Sequence, residues 1–457
     1  MSDYMPIEVM VEILSWLPVK SLIRFRCVSK TWFTLITTHD FISKHLNRAL
    51  SNPQHPPHLL FRHFDENMKK ETFTLHSSHD PLPRNHFSKH LSDTDRNLDR
   101  PSRRILKKKM KQRGFFAFPL DFIELHCPHK CFMNESELFF IVGSSNGLVC
   151  IVDDAPGKDY DIVPILWNPS IRKAIVLPSS GVKFPLSYLP MECLGFGYEP
   201  ITDDYKLVRI VYLQDCPCHG SLETHPPLIQ TYSLRTGVWS TIPYPGSRFN
   251  IVEQSLSVFV NGSVHWLAEI RDDEDDDDDD SICSVIFSFD IGNEVFHEMA
   301  VPKCFERGLD LNMSVAVIGG LLALVPCNSK VWTSDPCYSV WVMKEYGVAE
   351  SWTKLFDIDV GVRLGRVLGF KKNGEVIMVT NAGKLLCYEP RSRTTSDPHI
   401  RSRTESFYLD TFMESLVLLN VKDGDLGRQA NSSTASKGKG EYEEKGKIRY
   451  ATFTLLY

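Results

Sequence analysis

Residues 5–32 read MPIEVMVEILSWLPVKSLIRFRCVSKTW, a stretch in which apolar residues recur every three or four positions. That spacing places them along one side of a helix and predicts an amphipathic helix over the first part of the stretch. Pro18 disfavours helical geometry at Leu17, so the first helix is expected to end there. Ser21 is a candidate N-cap for a second helix, and Asp40 is one for a third. Residues 1–50 are therefore predicted to form a small three-helix module.

Three helices of this size bury too little surface to be stable in isolation. Some of their apolar residues should then contact something beyond the module itself. Two interpretations follow from the residue pattern. The module is either the N-terminal bundle of a larger domain or a docking element for another protein.

The order of the residues favours a docking element. Segments 12–15 (EILS), 17–22 (LPVKSL) and 24–30 (RFRCVSK), followed by Trp32, resemble the F-box of plant proteins. This resemblance implies a module that docks onto the Skp adaptor of an SCF ubiquitin ligase. Met5 stands where the family usually has Leu, and because Met is apolar and adaptable, docking is expected to tolerate it. The resemblance also implies a set of adaptor-binding residues: Pro6, Ile7, Leu14, Leu17, Pro18, Leu22 and Val28.

Length and composition indicate a multidomain protein with a sizeable core. The chain has 457 residues, of which 42% are hydrophobic, and it begins without an apolar signal segment. Its longest apolar stretch, residues 315–325, is too short to cross a bilayer. Twelve Cys without a secretory signal are expected to be reduced thiols. We therefore expect a protein of the cytoplasm and/or nucleus that does not insert into membranes.

Two charged segments interrupt the chain. Residues 272–280 are all Asp or Glu; their mutual repulsion predicts a solvated loop, and they lack the alternating ligands and Gly of a calcium loop. Removing these nine negative charges from the formal net charge of −6 leaves +3. Residues 103–113 are rich in Lys and Arg and lie in a polar segment, 51–114, that is predicted to be a linker or long loop. A nuclear localisation signal is the alternative for the basic segment, whereas nucleic-acid binding is disfavoured because interleaved aromatic residues are lacking.

From residue 115 onward, short β-rich runs separated by turn residues repeat along the chain. Runs that begin with a turn and continue as an apolar strand occur at 146–151, 261–267, 319–324 and 373–378, and an aromatic-containing strand follows each. Copies lie about 45–65 residues apart, which is the range for propeller blades of four strands. The predicted fold is therefore α+β and multidomain, with a β-propeller-like domain of six blades over residues 115–420.

Two further predictions concern the ends of this domain. The closing blade is expected to combine strands before Gly143 with residues 406–419, which would join the two ends of the ring. Residues 421–457 are rich in Gly, Ser, Lys and Glu and are predicted to be a mostly disordered tail.

The β domain also resembles a known family. Segments 143–149 (GSSNGLV), 167–170 (WNPS), 195–198 (GFGY) and 203–208 (DDYKLV) resemble the plant F-box-associated domain, type 1, which is related to kelch-type propellers. The resemblance implies that this domain recruits the protein to be ubiquitinated.

Signatures of catalysis are lacking. The sequence contains no P-loop, nucleophile elbow or zinc-protease motif. Two Cys/His clusters, 126–131 (HCPHKC) and 216–219 (CPCH), offer ligands that zinc prefers, but their spacing matches no named zinc finger. We therefore predict no catalytic residue, no metal site and no cofactor.

Together these features predict the substrate-recognition subunit of an SCF-type E3 ubiquitin ligase. The helical module would bind the Skp adaptor and, through it, the cullin and RING subunits. The propeller would bind an unknown protein substrate and so promote its ubiquitination and proteasomal degradation. The alternative is a propeller enzyme or carbohydrate-binding protein whose N-terminal helices are merely structural.

Overall fold

A computed structural model of the chain describes residues 5–52, 57–65, 70–76, 122–125, 139–153, 162–182, 188–215, 226–246, 249–252, 256–271, 282–305, 311–328 and 337–421. The predicted acidic loop, the basic segment, both Cys/His clusters and the predicted disordered tail after residue 421 lie outside these residues. None of the helices in the described ranges is long and apolar enough to span a bilayer.

Four helices form the N-terminal module, where the sequence predicted three. They are α1 (Ile7–Leu14), α2 (Val19–Phe25), α3 (Lys30–Ile36) and α4 (His39–Ser51). The predicted second helix is split after Phe25, because the Ser29 hydroxyl accepts a hydrogen bond from the Trp32 amide and starts α3 as a new helix.

The predicted helix starts at Ser21 and Asp40 are also corrected. Helix α2 begins directly after Pro18, whose backbone has the extended conformation of an N-cap residue. Helix α4 begins after Thr38, whose hydroxyl accepts a hydrogen bond from the Phe41 amide. The N-cap hydroxyls at Ser29 and Thr38 therefore decide where the last two helices begin.

Strands make up the rest of the described chain. In chain order they are β1 (His58–Asp65), β2 (Lys70–His76), β3 (Phe122–Leu125), β4 (Phe139–Ser145), β5 (Leu148–Asp153), β6 (Ile165–Asn168), β7 (Lys173–Val176), β8 (Tyr188–Glu199), β9 (Asp204–Asp215), β10 (Leu228–Ser233), β11 (Val238–Ile242), β12 (Phe249–Ile251), β13 (Val258–Val260), β14 (Ser263–Arg271), β15 (Ile282–Asp290), β16 (Val295–Ala300), β17 (Leu311–Ile318), β18 (Leu321–Asn328), β19 (Cys337–Met343), β20 (Trp352–Ile358), β21 (Leu364–Phe370), β22 (Val376–Thr380), β23 (Leu385–Glu389), β24 (Thr394–Ser396) and β25 (Tyr408–Phe412).

These strands form six antiparallel sheets within the described residues. Five sheets are contiguous in sequence: β4–β7, β8–β11, β12–β16, β17–β20 and β21–β24. The sixth has the order β25-β1-β2-β3. Neighbouring sheets contact one another through their inner strands: β4 with β8, β8 with β13 and β14, β13 and β14 with β17, β17 with β21, β21 with β25, and β25 with β4. The sheets therefore form a closed six-bladed propeller, which confirms the predicted fold class.

The closing blade joins both ends of the domain. Strand β25 pairs with β1, with Phe412 opposite His58 and Tyr408 opposite Arg62. The prediction that strands before Gly143 combine with the C-terminal residues to close the ring is confirmed. Two of these strands, at residues 58–65 and 70–76, lie in the segment predicted to be a linker or long loop, so that assignment is wrong for these residues. Phe139–Ser145 begins a blade of its own.

Each blade directs its turns to two opposite faces of the ring. Because the strands of a blade alternate in direction, its first and third turns open at one face and its second turn at the other. We call the first of these the proximal face; it carries turns 146–147, 169–172 and 200–203. The opposite, distal face carries residues 359–363, 381–384 and 397–407.

The predicted Asn-Gly turns lie at the proximal face. Asn146 and Gly147 have φ values of 46° and 85°, and Asn261 and Gly262 have values of 51° and 76°. Positive φ at both central residues is the geometry of a type I′ turn, whose twist matches that of the strands it joins. The sequence thus encodes these hairpins locally.

Tryptophans hold neighbouring blades together. The Trp239 indole N–H, from β11, donates at 2.8 Å to the carbonyl of Pro178, which lies in the connection after the preceding blade. The Trp352 indole donates to the Ala300 carbonyl of the preceding blade at 2.9 Å. Each ring therefore buries apolar surface between two sheets and satisfies its one polar atom there.

We predict that the closing blade limits the stability of the ring. Phe412 lies 1% exposed between the closing blade and the next. Replacing it with Ala should lower the free energy of unfolding by about 3–5 kcal/mol, because the cavity removes contacts on both blades. Urea unfolding followed by circular dichroism measures this change.

The matched control for this variant is Phe140→Ala. Phe140 is 46% exposed on the neighbouring strand, so its loss should cost about 0.5 kcal/mol or less. Equal destabilisation by the two substitutions would contradict the prediction that the closing blade limits the stability of the ring.

Candidate functional site

The inner side of the helical module packs against the propeller. Helix residues and two leucines of the segment that follows β25 form one buried cluster: Leu14, Val19, Leu22, Ile36, Phe41, Ile42, Leu416 and Leu419. The module therefore completes its core with residues that lie at the far end of the domain sequence.

A buried amide anchors that C-terminal segment. Asn168, at the end of β6, is fully buried, and its side-chain N–H₂ donates to the Ser415 carbonyl at 3.0 Å and to the Val417 carbonyl at 2.8 Å. Its side-chain oxygen accepts from the Ser170 amide at 2.9 Å. Both polar groups of Asn168 are thus satisfied, which fixes the segment beneath the helices.

A second contact joins α4 to the proximal turn between β8 and β9. Asp203 accepts hydrogen bonds from the Ser43 hydroxyl at 2.6 Å and from the Tyr198 hydroxyl at 2.7 Å. The same carboxylate lies 3.2 Å from His39 Nε2. The module is consequently held at two separate points on the proximal face, and its orientation relative to the propeller is fixed.

The outer side of the module exposes large apolar side chains. Val9 and Ile13 are exposed on α1, and Trp16, in the turn that follows the helix, is 58% exposed. Val28 is 63% exposed in the turn between α2 and α3, and Phe33 is exposed on α3. An apolar surface of this kind is typical of a protein-docking site.

The seven predicted adaptor-binding residues divide between the two sides. Pro6, Ile7, Pro18 and Val28 are exposed, and Leu17 is half-buried. Leu14 and Leu22 are 2% and 0% exposed in the module core, so neither can touch a partner without rearrangement.

Sequence reasoning missed the exposed positions on α1 and in the turn that follows it. Val9, Ile13 and Trp16 were not among the predicted contacts, although one signal could have identified them. Six of the eight residues of α1 are apolar, which is more than one buried face requires. The excess predicts a second apolar face directed away from the core.

Ionic contacts hold α1 against α4 beneath this surface. The Arg48 guanidinium hydrogen bonds to the Glu12 carboxylate and lies 4.7 Å above the Trp16 ring. Lys44 Nζ lies 3.1 Å from the same carboxylate. The hydrogen bonds from Arg48 and then Lys44 lower the pKa of Glu12 to about 2. Glu12 is thus ionised at neutral pH, and Arg48 restricts the indole that the surface presents.

A buried histidine links α4 to the turn between α1 and α2. His45 Nε2 donates to the Leu17 carbonyl at 2.9 Å, which requires the proton to be on that nitrogen. Burial of the ring lowers the pKa of His45 below its ordinary value of 6.5. The imidazole is therefore neutral at pH 7 and acts as a structural hydrogen-bond donor.

Metal chemistry finds no support in the part of the chain that the structure describes. No group of three or more His, Cys, Asp or Glu side chains there could hold a metal ion. The arrangement of the helical module instead supports docking of another protein through apolar burial.

Comparison with known families and proteins gives consistent matches. Residues 3–44 match the F-box domain, and residues 122–410 match the F-box associated beta propeller domain. The chain is 26% identical to F-box protein CPR1 of Arabidopsis thaliana over 90% of its own length and 88% of that protein. It is 28% identical to the F-box/kelch-repeat protein At3g23880 of the same plant, over 78% and 79% of the two chains.

Among solved structures, TolB from Acinetobacter baumannii aligns with a TM-score of 0.39 at 10% identity, covering 81% of this chain and 73% of TolB. Similarity at this level supports no conclusion about function.

We predict that Asn168→Asp weakens the packing of the helical module against the propeller. A carboxylate cannot donate to the Ser415 and Val417 carbonyls, and its charge would be buried beside them. The free energy of unfolding should fall by about 3 kcal/mol. Hydrogen exchange should also accelerate in residues 415–421 and in α4.

The control for this variant is Asn373→Asp. Asn373 is exposed in a distant turn, where its side-chain oxygen accepts from the Glu375 amide, a bond that Asp can keep. Unchanged exchange in α4 of the Asn168→Asp variant would contradict the role of this amide.

We also predict that acid weakens the module through His45. Because its pKa is lower in the folded protein than in the unfolded chain, the unfolded state binds the proton more readily. The stability that neutral His45 contributes is complete above about pH 6.5 and is lost as the pH falls towards the folded pKa.

The measurement compares wild type with His45→Gln, which keeps a donor for the Leu17 carbonyl. Between pH 7 and pH 5, the free energy of unfolding should fall less in the variant. The same loss in both proteins would assign the acid sensitivity to other groups.

Proposed function

Because the chain belongs to the family of F-box proteins with an F-box associated beta propeller domain, we propose that it is the substrate-recognition subunit of an SCF-type ubiquitin ligase. The helical module binds a Skp-family adaptor and, through it, the cullin and RING subunits. The propeller binds a target protein, whose ubiquitination and proteasomal degradation follow. The site of action is the cytoplasm and/or nucleus.

The outward apolar surface of the helical module is the observation that carries this proposal. Ile7, Val9, Ile13, Trp16 and Val28 are exposed on a module whose opposite side is already packed against the propeller. The fold of this chain gives those side chains no core to fill. Because each is about half exposed, complete burial by a partner would contribute about 1 kcal/mol per side chain.

On this proposal, the chain contributes to ubiquitination by holding the target protein in position. Its own residues supply binding, whereas the catalytic groups belong to other subunits of the ligase. Holding the target and the ubiquitin-charged enzyme in one complex converts an encounter in solution into a local reaction at high effective concentration. The two contacts that fix the module on the proximal face support such a role, since they restrict how far the target can move.

We predict that the double variant Ile7→Asp/Val28→Asp loses adaptor binding. Both positions are exposed, so the substitutions should leave the fold intact while placing charges in an apolar interface. Affinity for the purified Skp-family adaptor, measured by surface plasmon resonance, should fall by about tenfold or more.

The matched control is Ile201→Asp/Val238→Asp, which changes the same residue types at exposed positions of the propeller. This variant should bind the adaptor like wild type. Failure of the wild-type protein to bind, or equal binding by both variants, would refute the proposed docking surface.

A further inference from the structure

The distal face has a depression next to the closing blade, formed by two chain segments that are hydrogen bonded to each other. The connection 397–407, which leads from β24 to β25, folds against the turn between β22 and β23. The Ser402 amide donates to the Gly383 carbonyl at 2.9 Å, and the Leu385 amide donates to the Ile400 carbonyl at 3.0 Å. These bonds fix the two segments relative to each other.

Residues 381–383 and 401–405 line an open pocket of about 480 Å³ between these segments. Gly383 permits their close approach. Its φ is +69°, and a Cβ atom there would lie only 1.9 Å from the Ser402 carbonyl oxygen. The pocket is therefore part of the packed framework of the blade.

The rim of the pocket is basic. Arg401 and Arg403 are exposed lining residues, and the backbone of Arg363 is adjacent to the lining residue Asn381, whose amide donates to the Arg363 carbonyl at 3.2 Å. Glu405 is the one carboxylate among the lining residues. The nearby Lys384 is already paired with Asp397 at 3.0 Å.

Two further arginines near the pocket are already engaged by groups of the protein. Arg62 is buried and forms two hydrogen bonds with Glu71, at 3.0 and 2.8 Å. The half-buried Arg366 side chain donates to the Phe407 carbonyl, and Glu405 lies close enough to interact with its charge. Among the lining residues themselves, Arg401 and Arg403 stand against one carboxylate, Glu405.

An unsatisfied hydroxyl provides an independent observation. Ser402 lines the pocket and is only 8% exposed, yet its hydroxyl has no hydrogen-bond partner among the described residues. Buried polar groups in native proteins are nearly always paired, so an orphan at a pocket points to a ligand that completes it. The Ser406 hydroxyl, buried in the same connection, is likewise unpaired within the described part of the chain.

We propose that this pocket is a substrate contact that takes the carboxylate of an Asp or Glu side chain from an acidic segment of the bound protein. Guanidinium groups match a carboxylate in charge and geometry, and a serine hydroxyl can donate to its remaining lone pairs. The pocket lies on the face opposite the docking surface of the helical module, where a target would not collide with the adaptor. The inference rests on the proposed function and names the chemistry that the propeller recognises.

The test uses the full chain purified with its Skp-family adaptor. Fluorescence anisotropy measures binding of a fluorescein-labelled peptide of alternating Glu and Gly, with an amidated C-terminus, and of the matching peptide in which Gln replaces Glu. The protein carries a net charge of −6, so an acidic peptide should bind only where positive charge is concentrated locally. Arg401→Gln/Arg403→Gln tests the pocket, and Arg391→Gln/Arg393→Gln changes the same residue type at the proximal end of the same blade.

We expect the Glu peptide to bind and the Gln peptide not to bind. The pocket variant should weaken binding by about tenfold or more, whereas the control variant should leave it unchanged. No binding at millimolar Glu peptide, or equal binding by the two variants, overturns the proposal. So does binding of inorganic phosphate at the pocket without binding of the Glu peptide, since the site would then select phosphate.

Binding of the adaptor is measured separately in the same samples. Arg401→Gln/Arg403→Gln should bind the adaptor like wild type, because the two surfaces lie on opposite faces. A wild-type chain that does not bind the adaptor counts against the proposed function, whereas loss of peptide binding alone counts against the pocket.

Discussion

The pairing of β25 with β1 is the interaction on which the rest of the structure depends. Five blades are built from strands that are close in sequence, so each forms through local antiparallel pairings. The closing blade alone must unite the two ends of the domain. Without that pairing the ring has free edges, and the sheets on either side lose the apolar surface that they share, including the contacts of Phe412.

The same closure positions the helical module. Helix α4 leads into β1, and β25 leads into the segment whose Leu416 and Leu419 fill the module core. The chain segments on both sides of the closing blade therefore take part in the packing of the helical module against the propeller. The docking surface is tied to the ring at its point of closure, and the basic pocket at residues 401–405 lies in the connection that enters the same blade from the distal face.

Short sequence patterns predicted the structure correctly where an element is formed by residues close in sequence. The Asn146-Gly147 and Asn261-Gly262 pairs predicted tight hairpins and adopt the positive φ values that such turns require. Strand β1 was missed because Arg62 and His63 interrupt its apolar residues and give it a polar appearance. In the folded protein Arg62 is buried against Glu71 of β2, so the charge that concealed the strand is neutralised by its neighbour.

By itself the sequence determined the helical module, the repeating β domain and the family to which both belong, because helix periodicity, turn residues and short motifs act over a few positions. Only the tertiary structure decided which apolar residues face outward. Leu14 and Leu22 were predicted to bind the adaptor but are covered by Leu416 and Leu419, whereas Trp16 remains exposed. The physical reason is that burial depends on which distant segment covers a side chain. The basic pocket has the same origin, since it exists only where the connection that carries Arg401 and Arg403 folds against the turn between β22 and β23.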